Sequence, residues 1–148
     1  MKFPDQAPQD KYDLILFMEV IEHLEDDQKA LKKVYSLLNK NGIAIISTPS
    51  INAPLYRLGL AKKFDKRVGH LRRYTMQELQ LKCLKAGFEI IETKKTEGIL
   101  RNYLYLNSIA GKFIRLIKYF MVDVILSLDG LTMKAFGESD LFIVVRKK

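Results

Sequence analysis

Four short apolar runs, separated by segments in which apolar residues recur every three or four positions, organise this chain. The run YDLILFMEV, residues 12–20, is apolar on both faces of a strand, which is typical of a parallel sheet covered by helices. The runs GIAIISTP (42–49), FEIIETKKT (88–96) and DLFIVVRKK (140–148) predict three further strands.

The segment between the first two strands predicts a helix. EDDQKALKKVYSLLNKNG, residues 25–42, begins with acidic residues and then places apolar residues at helical spacing. We expect Asn41 and Gly42 to end this helix. A strand, a helix and a strand with short joints form a βαβ unit, which gives a parallel pair.

The rest of the chain alternates in the same way. Thr75 and Glu78 predict a capping box at the start of a helix that Gly87 ends. Residues 50–74 have weaker periodicity and predict a loop with one short helix, whereas 102–128 predict a long amphipathic helical region. The predicted fold class is therefore α/β with a mostly parallel sheet.

Charge and cysteine content indicate which partners and which cellular compartment to expect. The 148 residues carry a formal net charge of +8, which favours anionic partners, although a solvated basic face gives the same charge. The single cysteine, Cys83, predicts a buried core thiol in a reducing, cytoplasmic protein. The most apolar region, about 109–128, is interrupted by charged residues, which argues against a transmembrane helix.

A candidate site follows the first strand. In MEVIEHLED, Glu19, Glu22 and His23 have the spacing i, i+3, i+4, so a helical turn would place all three on one face. Ligands of parallel sheets bind at the carboxyl ends of strands. Two carboxylates and an imidazole at this position therefore predict a catalytic or ligand-binding site.

Three motifs together resemble a known family. YDLILFMEVIEHLEDDQKALKKVYSLLNKNGIAIISTPS, GHLRRYTMQELQLKCLKAGFEIIE and SDLFIVVRKK are similar, in this order, to strands four to seven of class I S-adenosylmethionine-dependent methyltransferases. The resemblance covers nearly the whole chain except the segment between Gly98 and Gly137. It implies an incomplete Rossmann-like sheet, with the last strand antiparallel, and S-adenosyl-L-methionine as cofactor.

One family feature is missing. The family begins with a strand and a glycine-rich loop that lets the backbone approach the cofactor, but the first glycine here is Gly42. We therefore expect 1–148 to be a single, N-terminally truncated methyltransferase domain with a helical insert at about 99–136, inactive by itself. Without the family's first strand, Asp13 to Met18 becomes an exposed apolar edge and a candidate surface for self-association.

The resemblance also implies roles for the strand-end residues. Met18 occupies the position that lines the adenosine pocket in ubiquinone-pathway O-methyltransferases. Glu19, Glu22, His23 and the downstream His70 match the pattern with which small-RNA 2′-O-methyltransferases hold a divalent metal. The alternative is a structural turn in which His23 bonds backbone or, with Glu19, serves catalysis as a general base.

Substrate residues are expected in the variable segments. Asn52 and Tyr56 follow the second strand, and Arg72 could bind a phosphate or carboxylate of the substrate, or could belong to a surface loop. The basic amphipathic segment that carries Ile109 and Phe113 suits a pocket lid or peripheral membrane contact.

The function expected from the resemblance and these candidate residues is O-methylation of a small or lipid-like acceptor. One alternative is a non-catalytic half-domain, a binding module that pairs with another chain. The other is a metal-assisted RNA methyltransferase, although nucleic acid is the less favoured partner.

Overall fold

A computed structural model describes residues 3–106 and 123–148 of the chain. The chain forms two compact units, the first comprising Met1–Pro49, Leu71–Lys94 and Leu141–Lys148, and the second Ser50–His70 and Lys95–Asp140. The elements in chain order are β1 (Tyr12–Met18), a 3-10 turn (Ile21–His23), α1 (Asp27–Leu37), β2 (Leu38–Pro49), α2 (Pro54–Arg57), α3 (Lys62–Val68), α4 (Met76–Lys85), β3 (Phe88–Thr96), α5 (Ile99–Leu106), α6 (123–136) and β4 (Asp140–Lys147).

The sheet of the first unit has the strand order β1-β2-β4-β3. Strands β1 and β2 are parallel, with Leu16 opposite Ile45 and Met18 opposite Ser47. The predicted βαβ unit is therefore confirmed, and the fold is the predicted α/β, incomplete Rossmann-like sheet with flanking helices.

The predicted end of the first helix was wrong. Helix α1 ends at Leu37, and the chain is already extended at Leu38, where β2 begins. The register between β1 and β2 is irregular just before Gly42, and Asn41 there has a φ of 64°. A Cβ on Gly42 would come within 2.9 Å of a backbone oxygen. Asn41 and Gly42 thus form an irregularity inside the strand rather than a helix stop.

The core of the first unit fits the apolar pattern. Helices α1 and α4 bury Leu31 and Leu79 completely, and β4 contributes Ile143. Cys83 is fully buried among them, as predicted, and burial raises the pKa of its thiol to about 12. The capping box of Thr75 is also confirmed.

Strand β1 lies at an edge of this sheet. Its side chains at Leu14, Leu16 and Met18 are 55%, 62% and 42% exposed, whereas Phe17 is buried. The strand is apolar on both faces, as its sequence indicates, but only one face is covered. This confirms the expected apolar edge.

The second unit is helical. Residues 50–74, for which a loop with one short helix was predicted, contain two helices, α2 and α3. The buried Asp129 of α6 accepts hydrogen bonds from the backbone N–H of Gly98 (2.8 Å) and Arg101 (2.9 Å), so it caps the first turn of α5. The amphipathic segment with Ile109 and Phe113 lies outside the described residues. Within the described ranges, no helix is both long and apolar enough to cross a membrane.

Candidate functional site

Glu19 directly follows the carboxyl end of β1 in an uncommon backbone conformation. Its φ is +53°, in the left-handed region that a residue with a Cβ rarely adopts. Two contacts with Ser47 of β2 hold it there: the Glu19 N–H donates to the Ser47 carbonyl at 3.1 Å, and the Ser47 hydroxyl donates to the Glu19 carboxylate at 2.6 Å. The exposed carboxylate is thereby fixed at the strand end. Such strained positions often belong to functional sites.

Glu22 lies in the 3-10 turn that follows and is fully buried. The hydroxyl of Thr48, the residue after Ser47, donates to its carboxylate at 3.1 Å. Burial raises the pKa of Glu22 to about 7, and the negative charge of Glu19 contributes to this increase. The Nε2 atom of His23 lies 3.8 Å from the same carboxylate. Glu22 can therefore take up or release a proton near neutral pH.

Adjacent residues of β2 thus secure the two carboxylates. Ser47 bonds the exposed Glu19 and Thr48 bonds the buried Glu22. The sequence identified the two glutamates by their spacing but not these hydroxyls, since Ser and Thr are ordinary residues in a strand. The signal that could have found them is that both stand at the end of a strand predicted to be parallel to β1.

A second polar cluster of the first unit centres on Asp27, which sequence reasoning missed. Its carboxylate accepts hydrogen bonds from the Tyr74 hydroxyl (2.8 Å), Lys82 Nζ (2.9 Å) and Arg72 Nη1 (3.1 Å). Burial favours the neutral acid, but the bonds from Lys82, Tyr74 and Arg72 prevail and lower the pKa of Asp27. Burial and the nearby carboxylate raise the pKa of Tyr74. This cluster fixes the segment 71–74 on the start of α1.

Arg72 therefore has partners within the protein. Besides Asp27 it donates to the carbonyl oxygen of Glu25 at 2.9 Å. Its side chain remains about one third exposed, at 35%. These contacts fit the alternative interpretation, in which Arg72 belongs to a surface loop and holds that loop in place. Binding of a substrate anion by Arg72 stays a prediction.

The remaining predicted site residues belong to the second unit. His70 pairs its Nδ1 atom with the Asp65 carboxylate at 3.1 Å. Asn52 donates from its amide to Glu138 at 3.1 Å, and Tyr56 is half-buried. The carboxylate of Glu138 also accepts from the Ser50 hydroxyl, at 3.1 Å, and pairs with Lys95, at 3.2 Å. Burial opposes ionisation of Glu138, but its hydrogen bonds prevail and lower its pKa.

The second unit also contains an apolar cavity of about 500 Å³. Helices α2, α5 and α6 form it. Its lining is mostly aliphatic, and the hydroxyl of the lining residue Thr132 donates to the Asp129 carbonyl. The lining residues are Leu55, Ile99, Leu100, Tyr103, Leu128, Leu131 and Thr132. Such a cavity suits the apolar part of a ligand.

Of the predicted residues, the first unit brings together Met18, Glu19, Glu22 and His23 at one strand end. His70 and Asn52 are held by partners of the second unit, to which Tyr56 also belongs. The divalent metal that the resemblance implies stays a prediction.

Comparison with known proteins identifies the family. A model of a methyltransferase domain matches residues 2–93, which is more than half of the chain. The chain belongs to this family of methyltransferase domains.

Individual relatives agree with this assignment. A ubiquinone biosynthesis O-methyltransferase of Bradyrhizobium diazoefficiens is 34% identical over 53 residues, which are 36% of this chain and 21% of that enzyme. The phosphoethanolamine N-methyltransferase 2 of Haemonchus contortus, solved with S-adenosyl-L-methionine, matches 92% of this chain and 33% of its own length (TM-score 0.59, 16% identity). A SAM-dependent methyltransferase from Archaeoglobus fulgidus matches 97% and 62% (TM-score 0.59, 18% identity). The structural likenesses show the same fold, and the chain spans only part of each of these proteins.

Proposed function

We propose that this chain forms the strand-four-to-seven part of an S-adenosylmethionine-dependent methyltransferase that methylates an oxygen of a small or lipid-like acceptor. The observation that carries the proposal is the pair of carboxylates held at the carboxyl ends of two parallel strands, Glu19 by Ser47 and Glu22 by Thr48. Membership of the methyltransferase family supports the reaction, and the ubiquinone-pathway relative supports oxygen as the acceptor atom.

The residues at this strand end fit the cofactor. Met18 is 42% exposed and presents a flexible apolar surface on which an adenine ring can rest. The exposed carboxylate of Glu19 suits ribose hydroxyls or the positive sulfonium. When bound, S-adenosylmethionine supplies a methyl group on a sulfonium centre, which the acceptor oxygen attacks. The protein positions the acceptor and excludes water.

A proton must leave the acceptor hydroxyl in this reaction. His23 is 34% exposed and adjoins Glu22, whose pKa of about 7 suits proton exchange at neutral pH. We assign His23 the role of general base, with the carboxylate of Glu22 3.8 Å from its Nε2 atom. Glu19 remains the second catalytic candidate.

The apolar cavity of the second unit supports a lipid-like acceptor. Its volume lies within the range of about 300–1,000 Å³ typical of small-molecule sites. The aliphatic part of its wall, which includes Leu55 and Leu131, can hold an alkyl or isoprenoid chain.

Titration calorimetry of the chain with S-adenosylmethionine tests the proposal. We expect Met18→Ala to weaken binding, and Leu14→Ala, an exposed residue of the same strand face four positions earlier, to leave it unchanged. If the chain binds only after a relative's glycine-rich segment is fused upstream, the same pair of variants applies to the fusion. Equal weakening by both variants, or no binding by either protein, would contradict the proposal.

The exposed edge favours a second candidate, a non-catalytic half-domain that pairs with another chain. Leu14 and Leu16 are more than half exposed on an edge strand, which proteins usually cover or charge. Light scattering tests it. Concentration-dependent association that Leu16→Lys abolishes would support pairing through β1, and a monomer at all concentrations would reject it.

A further inference from the structure

The turn between α2 and α3 exposes two leucines. Leu58 and Leu60 are 68% and 66% exposed, more than any other large apolar side chain in the described parts of the chain. Single exposed leucines are common on protein surfaces. Two of them on the same short turn, with Gly59 between them at a φ of 78°, form a small apolar projection.

This turn is well anchored. The backbone N–H groups of Leu60 and Ala61 both donate to the carbonyl of Leu55, at 2.9 Å and 3.2 Å. Leu55 and Ala61 are themselves buried, 5% and 1% exposed. The anchors fix the backbone while the two leucine side chains remain in solvent. Their exposure therefore belongs to a defined conformation of the turn.

A basic surface adjoins the leucines. Ala61, just before α3, and Asp65 within it are buried, with Asp65 only 8% exposed, and Phe64 is half-buried. The other face of the helix carries exposed cations at the spacing i, i+1, i+4, i+5, and one more precedes the leucines. These residues are Arg57, Lys62, Lys63, Lys66 and Arg67. The single acid of the segment, Asp65, pairs with His70.

From this arrangement we propose that residues 57–67 dock the protein on an anionic lipid bilayer. Leu58 and Leu60 would enter the interface, and the five cations would lie among the anionic headgroups. Apolar insertion and a polybasic patch are the two signals that together give stable but reversible membrane attachment. The proposal goes beyond the proposed function and does not depend on it.

RNA is the competing partner for a basic helix. Phosphates would account for the cations but not for two exposed leucines beside them, since single-stranded nucleic acid is bound by aromatic stacking and charge. The leucines favour the bilayer. RNA therefore enters the experiment as an outcome that would overturn the proposal.

Vesicle co-sedimentation of the 148-residue chain tests it. We expect binding to phosphatidylcholine vesicles that contain roughly one third phosphatidylglycerol, little binding to phosphatidylcholine alone, and weakening with salt. The double variant Leu58→Asn, Leu60→Asn should bind at least about tenfold more weakly, because each leucine loses its apolar transfer. Lys62→Glu with Lys66→Glu should have an effect of similar size, about fivefold per residue or more.

The chain offers a matched control. Leu81 and Leu84 of α4 are 56% and 51% exposed, and Leu81→Asn with Leu84→Asn should leave vesicle binding unchanged. Circular dichroism would confirm that every variant is folded. Absence of binding to anionic vesicles, equal losses in the two leucine pairs, or salt-sensitive binding of a short RNA without vesicle binding would each overturn the proposal. A negative vesicle experiment would not affect the proposal of cofactor binding. A negative calorimetry experiment would not affect the proposal of membrane docking.

Discussion

The hydroxyl of Tyr74 donates a hydrogen bond to the carboxylate of Asp27 at 2.8 Å, across 47 positions of sequence. Arg72 and Lys82 complete the partners of that carboxylate. The first residue of α1, the segment before α4 and α4 itself therefore meet at one buried acid. The two helices that cover the sheet are joined by charge as well as by apolar contact.

Removal of this charge should destabilise the fold. Asp27→Asn leaves Lys82 and Arg72 without an anionic partner, but both are about one third exposed, which moderates the loss. We expect a decrease of about 2 kcal/mol in the free energy of unfolding, measured by urea denaturation. The exposed Asp10→Asn should change it little. Equal stability of the Asp27 variant and the parent would contradict a structural role.

Stability should also depend on pH through Asp27. Its pKa in the folded chain is lower than the ordinary 3.8, so the unfolded chain takes up the proton first as pH falls. The stabilisation is fully present above the ordinary value and is lost as pH falls through the lowered one. The difference in unfolding free energy between the parent and Asp27→Asn should thus shrink as the pH falls from above 3.8 through the lowered pKa. A difference that stays constant over this range would refute the lowered pKa.

The pH dependence of stability that Glu22 causes should be opposite to that of Asp27. Its pKa in the folded chain is about 7 instead of 4.5, so ionisation of the buried acid costs stability as pH rises between these values. The gap corresponds to roughly 3 kcal/mol. Glu22→Gln, in buffer with a chelator, should gain stability relative to the parent between pH 5 and pH 8, measured by thermal unfolding. The exposed Glu25→Gln should show no such trend, and a difference between Glu22→Gln and the parent that stays constant from pH 5 to pH 8 would refute the prediction.

The cap of α4 can be tested locally. Thr75 accepts from the Glu78 N–H at 3.1 Å, and its own N–H donates to the Glu78 carboxylate at 2.8 Å. Thr75→Ala should lower the free energy of unfolding by about 1 kcal/mol in urea denaturation. Thr75→Ser keeps the hydroxyl and should retain most of the stability. If Ser and Ala are equally destabilising, the hydroxyl is not the cause.

Glu19 should show a conflict between stability and function. Glu19→Gly relieves a backbone φ of +53° and should stabilise the fold by about 1 kcal/mol, yet weaken binding of S-adenosylmethionine. Asn41→Gly, at a φ of 64° inside β2, should stabilise similarly without affecting binding. Calorimetry and urea denaturation measure the two quantities. Unchanged cofactor binding in Glu19→Gly would remove Glu19 from the site.

The sequence by itself determined the features that depend on neighbouring residues. The βαβ unit, the capping box of Thr75 and the buried Cys83 follow from periodicity, caps and composition, whereas the apolar edge of β1 was implied by the family resemblance. The spacing of Glu19 and Glu22 also marked the strand end where the candidate site lies. These signals are local, so a short window contains them.

Only the tertiary structure decided the contacts between distant residues. Asn41 and Gly42 have the same signature in a helix stop and in a strand irregularity, and pairing with β1 selected the latter. The partners of Asp27 stand 45 to 55 positions away, and no local pattern joins them. The spacing of Glu22 marked it as a candidate, but only the fold buries it beside Thr48 and raises its pKa. Burial and hydrogen bonding depend on which segments pack together, and this packing gives ordinary side chains their particular chemistry.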